Sequence, residues 1–232
     1  MIGNRKHVDL KQHIIVNTGT AIIKPSESVK LLGLTIHESA KWKEHLISGE
    51  NSLVRCLTQR LYALKKVSVN ASFKTRLMTA NACFMSVLSY MITVWGGTEK
   101  YLVKAIQVVQ NNAARCITKQ SWFTSTRILL KQCNWMSIMQ LIFYQTAVQT
   151  WKLKSHEVPP TLFTRLQLIH TRSRAEGNLR IPDFTTLAAS KSFHVRAAMN
   201  WNHIPAEIRN LKHLGSFKTK LREWVKVNIP IE

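Results

Sequence analysis

The longest uncharged stretch of this chain, residues 77 to 97, most constrains how it can fold. Arg76 and Glu99 are separated by 22 residues that include neither a charge nor a proline. Apolar side chains recur there at steps of three and four residues, which predicts a helix. Gly96 and Gly97 predict its end, because glycine adopts the left-handed conformation that terminates many helices. Such a helix is either the centre of a bundle or a membrane span.

Amphipathic helices are predicted on both sides of this stretch. The first begins at Lys41 and runs for about six turns. Its apolar positions are Trp42, Leu46, Gly49, Leu53, Leu57, Leu61 and Leu64. Ser72 or Asn70 is the expected N-cap of the uncharged helix. The third helix begins at Thr98 and Glu99, and it directs Gln107 and Gln110 away from its apolar stripe. Three helices with short joints predict an antiparallel bundle whose middle helix is the most buried.

The N-terminal part is predicted to be extended, because short β-branched runs flank a turn at Thr18 and Gly19. The run VKLLGLTI is expected to form one further strand. Within it, Gly33 marks a bulge, a close backbone approach or a simple packing glycine. Beyond Lys119 the predicted helices are shorter, and residues 170–182 form an arginine-rich, flexible loop. The fold class is therefore mainly α, with an extended segment (1–40), a three-helix bundle (41–120) and a smaller helical region (121–232).

The charge of the chain is far from balanced. Lys and Arg number 33 against 12 Asp and Glu, a formal net charge of +21. Self-repulsion of that size destabilises a compact protein unless an anionic partner offsets it, which indicates nucleic acid or an anionic membrane surface. A soluble basic protein without such a partner is the alternative. The N-terminus has no secretory signal pattern, so an intracellular location, nuclear or cytoplasmic, is expected.

The helical part concentrates this charge. Residues 51–156 contain 14 Lys and Arg but a single acid, Glu99. Ordinary helix surfaces alternate charges to gain pairs one turn apart. Basic ridges without acids instead suit a surface that follows a phosphate backbone and ignores base identity. The predicted nucleic-acid contacts are Lys30, Gly33, Arg55, Arg60, Lys65, Lys66, Lys74, Arg76 and Arg115. Four of them, Lys65, Lys66, Lys74 and Arg76, flank one helix–helix turn and should cluster.

No catalytic or metal site can be recognised. Two-metal phosphoryl transfer needs converging carboxylates, whereas the chain has two aspartates, Asp9 and Asp183, far apart in sequence. The four cysteines have no zinc-site spacing, and buried reduced thiols are expected. His45 and His203 lie near tryptophans, which indicates packing. We therefore expect no catalytic residue, metal or cofactor in this chain, with a complete enzyme of unknown type as the alternative.

A single-span membrane protein is a second alternative, with residues 77–97 as the span. Their length suits a bilayer. However, polar residues are spread along them, at Thr79, Asn81, Ser86, Ser89 and Thr93. A lone span would expose these side chains to lipid, which is unfavourable. The bundle prediction is therefore preferred, and no membrane partner is expected.

Several segments, in order, resemble the reverse transcriptases of non-LTR (LINE-type, jockey-like) retrotransposons. They are residues 28–46 (SVKLLGLTIHESAKWKEHL), 89–97 (SYMITVWGG), 106–118 (IQVVQNNAARCIT), 129–138 (LLKQCNWMSI), 192–209 (SFHVRAAMNWNHIPAEIR) and 216–225 (SFKTKLREWV). The resemblance covers roughly residues 13–228. It implies that Leu-Gly at 32 and 33 belongs to a primer grip and that Trp42 and His45 open a thumb.

The resemblance also implies what this chain lacks. The family's catalytic aspartates lie in a palm motif that would precede Met1, and His37 stands where the family commonly has aspartate. The chain would then be the primer grip, thumb and post-thumb part of an RNA-directed DNA polymerase, inactive alone. Its implied partners are RNA or an RNA–DNA hybrid and the missing palm and fingers, where the parent polymerase would use Mg²⁺. A host-adopted RNA-binding protein is a further alternative.

Overall fold

The computed structural model describes residues 16–17, 19, 22–23, 25–155 and 177–231. The chain divides into two compact units, Met1–Cys56 and Leu57–Glu232. The strands are β1 (Val16–Asn17), β2 (Ile22–Ile23), β3 (Ser28–Leu31) and β4 (Leu34–His37). The helices are α1 (Leu53–Val67), α2 (Phe73–Ala80), α3 (Ser86–Ser89), α4 (Ile92–Trp95), α5 (Lys100–Thr118), α6 (Thr126–Gln132), α7 (Ile138–Lys154), α8 (Leu187–Ser190), α9 (Phe193–His203), α10 (Ala206–Arg209) and α11 (Leu214–Asn228). The mainly α prediction is confirmed.

The first unit contains two antiparallel hairpins, β1–β2 and β3–β4. In the second hairpin Leu31 pairs with Leu34, and the two residues between them, Leu32 and Gly33, have φ angles of 49° and 81°. Positive φ at both central residues is typical of the type I′ turn that suits a hairpin. The prediction of one continuous strand here is wrong. Gly33 is a turn residue and not a bulge or a packing glycine.

The helix predicted from Lys41 is interrupted. A π-helical segment, Glu44–Ser48, ends at Gly49, which is extended with ψ 154°, and α1 begins only at Leu53. The predicted leucine stripe is nevertheless buried. In the same region His45 Nδ1 accepts a hydrogen bond from the Thr35 amide at 3.4 Å. The His45 ring meets Trp42 edge-on, which agrees with the packing role expected of this histidine.

The uncharged stretch is not one helix. After α2 the chain passes through a π-helical segment, Asn81–Met85, and α3. It then breaks at Tyr90, which is extended, and Met91, which has a left-handed φ of 51°. The Trp95 indole N–H donates to the Tyr90 carbonyl at 3.0 Å, so this carbonyl at the break is hydrogen-bonded. In the described parts of the chain, no helix has the length and apolar character required to cross a bilayer.

Gly96 and Gly97 are required for close packing and not for a left-handed cap. Gly96 has φ −66°. A Cβ on Gly97 would overlap the Lys191 carbonyl oxygen and lie 3.0 Å from Arg196 Nε. Arg196 itself donates to the Thr93 carbonyl at 2.6 Å. The turn after α4 therefore lies directly against the segment that begins α9.

Helices α5 and α7 form the centre of the second unit. Helix α7 packs against α4, α5, α9 and α11 and is buried around most of its circumference. The uncharged stretch buries only one stripe, and its Met78 is 62% exposed. The expectation that this stretch is the most buried helix is therefore wrong. Helix α5 belongs to the predicted 41–120 segment, yet it packs against α6 and α7 of the predicted 121–232 segment.

Two glutamines of α5 join it to α7. Gln110 is 0% exposed and donates to the Met136 carbonyl at 2.9 Å. Gln107 accepts from the Ile138 amide at 2.8 Å. Ser137 and Gln140 then form a capping box at the start of α7. These side chains satisfy backbone groups that would otherwise be buried without partners. Their sequence positions predict a polar outer face for Gln107 and Gln110. That prediction is wrong, because both side chains are buried between α5 and α7.

The prediction of buried, reduced cysteines holds only in part. All four thiols are free, but Cys133 is buried while Cys83 is exposed. Burial raises the pKa of the Cys133 thiol to about 11.

Residues 170–176 of the predicted arginine-rich, flexible loop lie outside the described residues. Within the described remainder, Leu179 is buried, and its N–H and C=O both bond the Asn202 side chain at 2.8 Å.

Candidate nucleic-acid interface

Three helix termini meet at one end of the second unit. At the end of α1, the Ser68 hydroxyl lies 3.3 Å from the Cys116 thiol of α5. At the start of α2, Ser72 caps the helix by accepting from the Thr75 amide at 3.2 Å, as predicted. The guanidinium of Arg76 then reaches the C-terminus of α5, where it donates to the Ile117 carbonyl at 2.7 Å. The helix–helix turn and the end of α5 are thus held together.

Arg76 fills a structural position in this arrangement. The residue is 7% exposed, and a second guanidinium hydrogen bond runs to the Ala71 carbonyl at 2.5 Å. A cation suits this place because the last carbonyls of a helix carry partial negative charge and lack helical partners. The prediction that Arg76 contacts nucleic acid does not fit its burial. Its charge is directed to backbone carbonyls.

The other cations at this end point to solvent. Lys65 and Lys66 lie in the last turn of α1 and Lys74 in the first turn of α2, and all three are exposed. Lys66 Nζ lies 4.8 Å from the centre of the Tyr62 ring. These bounds place Lys65 and Lys66 just before the α1–α2 turn and Lys74 just after it, while their mutual clustering stays a prediction. Lys119, an exposed residue that ends α5, extends the cationic area.

Arg115 belongs to the same end of α5 and carries an aromatic neighbour. Its guanidinium carbon lies 4.6 Å from the centre of the Trp122 ring. Its NH1 donates to the Asn112 side-chain oxygen at 3.2 Å. We call the exposed cations Lys65, Lys66, Lys74 and Lys119, together with Arg115, the helix-end surface.

The remaining predicted contacts lie elsewhere. Arg60 of α1 donates to the Cys83 carbonyl at 3.1 Å, so its guanidinium links α1 to the π-helical segment that follows α2. Lys30, Gly33 and Arg55 belong to the first compact unit, where all three are exposed. Lys30 is on β3 and Gly33 in the β3–β4 turn. Arg55 is in the first turn of α1.

Carboxylates are scarce in the part of the sequence that forms the helix-end surface. The sequence contains none from residue 57 to residue 155 except Glu99, which lies 3.1 Å from Lys191 Nζ. Burial alone would raise the pKa of the Glu99 carboxyl. Hydrogen bonds from its own backbone amide and from Lys191 outweigh burial and lower the pKa below its usual value. The acid therefore stays ionised and paired, far along α5 from the helix-end surface.

Two aromatic residues next to this surface were not predicted from the sequence. The loop of residues 120–125, between α5 and α6, carries Trp122 and Phe123, which are 66% and 94% exposed. A detectable signal was present, since two adjacent aromatic residues stand between polar, turn-forming residues. Aromatic side chains interleaved with cations are typical of surfaces that bind nucleic acid.

The described residues offer no recognisable metal centre. No group of three or more His, Cys, Asp or Glu side chains among them could hold a metal ion. Of the two aspartates, Asp9 lies outside the described residues. Asp183 is exposed and forms an ion pair with Arg180 at 3.4 Å. The carboxylate donors that Mg²⁺ prefers are thus not gathered in the part of the chain that can be described.

Part of the chain is similar in sequence to a known protein. The two are 25% identical over 138 residues, and the protein is titled "Probable RNA-directed DNA polymerase from transposon BS", from Drosophila melanogaster. The aligned region covers 60% of this chain and 15% of that protein. No protein-family model matches the chain. No solved structure matches it either.

Proposed function

We propose that this chain binds the sugar–phosphate backbone of RNA or of an RNA–DNA hybrid, as the thumb and post-thumb part of a retrotransposon RNA-directed DNA polymerase. One observation carries the proposal. Exposed Lys65, Lys66 and Lys74 surround a helix junction that buried Arg76 holds together, and no carboxylate lies nearby in sequence. The distant similarity to a Drosophila transposon polymerase supports the template–primer as the polyanion.

Binding of this kind depends on charge and is indifferent to base identity. A lysine ammonium is a point charge on a flexible stem, which attracts phosphate without the planar geometry that reads a base edge. Each neutralised phosphate releases counterions, so affinity falls steeply with salt. For about five phosphate contacts on a duplex, the log–log slope is roughly −4.5, and raising salt from 50 to 200 mM lowers affinity ~500-fold.

We further propose that nucleotide addition requires residues that this chain does not supply. The two-metal reaction needs carboxylates that clamp both cations, and the donor set of the described residues does not fit that requirement. The palm and fingers of the polymerase would be the partner that holds Mg²⁺. Incubated alone with primed template and Mg²⁺ or Mn²⁺, the chain should leave the primer unextended. Extension that survives removal of contaminating polymerase would contradict this part of the proposal.

A pair of matched charge reversals tests the binding surface. Lys65, Lys66 and Lys74 are changed to Glu in one variant, and the exposed residues Lys212, Lys220 and Arg222 in the other. Both variants then have the same net charge. Binding of a fluorescent RNA–DNA hybrid is measured by anisotropy at several salt concentrations. We expect the first variant to lose affinity strongly and its slope to become shallower by roughly 3.

The control variant should lose little affinity and keep its slope. Both variants should retain the helical circular dichroism of the wild type, because the substituted side chains are exposed and surface changes of this kind cost little stability. Equal losses of affinity in the two variants would mean that binding follows net charge alone. The helix-end surface would then not be the binding site.

A further inference from the structure

The loop of residues 120–125 holds its aromatic side chains outward. The chain contains seven tryptophans. Of these only Trp122 is exposed, while Trp42 and Trp224 are half-buried and the others are buried. Phe123, beside it, is 94% exposed. Apolar rings are usually removed from water, so two adjacent exposed rings next to a cationic surface indicate a binding role.

The loop is tied to α5 at both ends. Lys119 ends the helix with a left-handed φ of 53°. Within the loop, the Thr124 amide donates to the Ser121 carbonyl at 3.1 Å, which closes a turn around the two aromatic residues. At the start of α6, Asn111 of α5 donates to the Thr126 hydroxyl at 2.9 Å. The aromatic tip is therefore presented from a fixed position.

One side of the Trp122 ring is already occupied by a cation. The Arg115 guanidinium lies 4.6 Å from the ring centre, and Asn112 holds that guanidinium through a 3.2 Å hydrogen bond. The indole remains two-thirds exposed with Arg115 against it, which leaves the opposite side of the ring to solvent. An aromatic ring backed by a cation and open on its other side can stack on a planar, π-rich ligand.

We infer that Trp122 and Phe123, backed by Arg115, form a stacking platform for unpaired bases of single-stranded RNA or DNA. The inference rests on the proposed nucleic-acid binding and specifies the strand state that this site takes. In a duplex the faces of internal bases are covered by their neighbours, whereas an unpaired base offers its face to an aromatic ring. Phosphates of the same strand would meet Arg115 and Lys119. Charge complementarity thus favours a nucleic acid over a neutral or cationic protein surface.

The test measures how loss of the two aromatic side chains changes the affinity for single-stranded and for duplex nucleic acid. Trp122 and Phe123 are both changed to Ala, and Tyr101→Ala serves as the control. Tyr101 is 55% exposed and stands in the first turn of α5, at the other end of the helix. The probes are a fluorescent single-stranded RNA without secondary structure and a blunt-ended RNA–DNA hybrid. We expect the double variant to bind the single strand roughly 5- to 100-fold more weakly, with the salt slope unchanged and hybrid affinity within about twofold.

Tryptophan emission provides an independent readout. Single-stranded RNA should quench the wild-type emission, and Trp122→Phe should remove most of that quenching while it preserves affinity. Persistence of the quenching in Trp122→Phe would overturn the inference. So would equal losses for the single strand and the hybrid in the double alanine variant. A blue-shifted Trp122 emission on phosphatidylserine vesicles, without quenching by RNA, would identify an anionic membrane as the ligand and also overturn it.

The two proposals fail in different ways. If the Lys65, Lys66 and Lys74 reversals weaken both probes but the aromatic variant changes neither, the stacking platform is wrong and backbone binding stands. If the aromatic variant weakens single-strand binding but the lysine reversals change nothing, the helix-end lysines are not the backbone site and the platform stands.

Discussion

Arg76→Met should destabilise the chain and leave the salt dependence of nucleic-acid binding unchanged. The substitution keeps an unbranched, apolar stem of similar length and removes the guanidinium. Two carbonyls, of Ile117 and Ala71, then lose their charged donors. Since Arg76 joins the start of α2 to the end of α5, its loss destabilises that junction, whereas the exposed Lys65, Lys66 and Lys74 keep their charges and their slope.

The magnitude follows from the two contacts. A hydrogen bond from a charged group contributes roughly 1.5–3 kcal/mol net, and the two bonds here are short, at 2.7 and 2.5 Å. Removing a buried guanidinium also removes its desolvation cost, which offsets part of the loss. We therefore expect the free energy of unfolding to fall by about 2–4 kcal/mol. For a chain of this size that corresponds to a melting temperature lower by roughly 5–15 °C.

Urea unfolding followed by circular dichroism measures this change, and Lys74→Met is the matched control. Lys74 stands on the same helix but is exposed, so its loss should cost less than about 0.5 kcal/mol. It should also make the log–log salt slope for an RNA–DNA hybrid shallower by roughly 0.9. If Arg76→Met unfolds at the wild-type urea midpoint and instead reduces the salt slope, the two carbonyls do not hold the guanidinium. Arg76 would then be a phosphate contact.

Two further pairs of substitutions test the packing of the second unit. Phe84→Asp should abolish cooperative unfolding or cost more than about 4 kcal/mol, because Phe84 is buried and stacks on Trp135 with ring centres 6.3 Å apart. Met78→Asp, on the exposed side of α2, should melt within a few degrees of wild type, and equal melting of the two would contradict the orientation of this segment. Gly97→Ala should cost about 1–3 kcal/mol, because its Cβ would overlap the Lys191 carbonyl. Gly215→Ala, where a Cβ meets no atom within 4 Å, should instead raise the urea midpoint through up to about 1 kcal/mol of better helix propensity.

Local sequence patterns predicted much of the fold. The stripe of Leu57, Leu61 and Leu64 is buried as its spacing indicates. Ser72 caps the helix that it precedes. These features depend on neighbours within one or two helical turns, so periodicity and capping chemistry are sufficient to identify them.

The errors arose where contacts with other chain segments oppose a local sequence pattern. Apolar spacing across Met91 indicates a continuous helix, yet the structure turns there through a left-handed residue. The break lets the indole of Trp95 bond the Tyr90 carbonyl and lets α4 pack on α7. Likewise, Leu-Gly at 32 and 33 reads as the interior of a strand, whereas pairing of β3 with β4 makes it a turn. In both places distant or cross-strand contacts outweigh a propensity that is worth little per residue.

For the candidate site as well, local patterns predicted some residues, while distant contacts decided the roles of others. The sequence predicted that Lys65, Lys66 and Lys74 lie close together, because helices joined by a short turn place such positions side by side. It also assigned Arg76 to the same role, since sequence position cannot distinguish a solvated cation from one directed to carbonyls. Trp122 received no role, because nothing local reveals that Arg115 supports its ring.

The sequence by itself determined the mainly helical class, the apolar stripes, the helix starts at Ser72 and Glu99 and the excess of positive charge. All of these follow from residue counts or from contacts within a few positions. Only the tertiary structure decided which polar side chains are buried. Arg76 bonds a carbonyl 41 residues away, and Gln107 and Gln110 bond backbone groups 31 and 26 residues away. A polar group can be buried only where a distant chain segment supplies its hydrogen-bond partner, and that partner is set by how the helices pack.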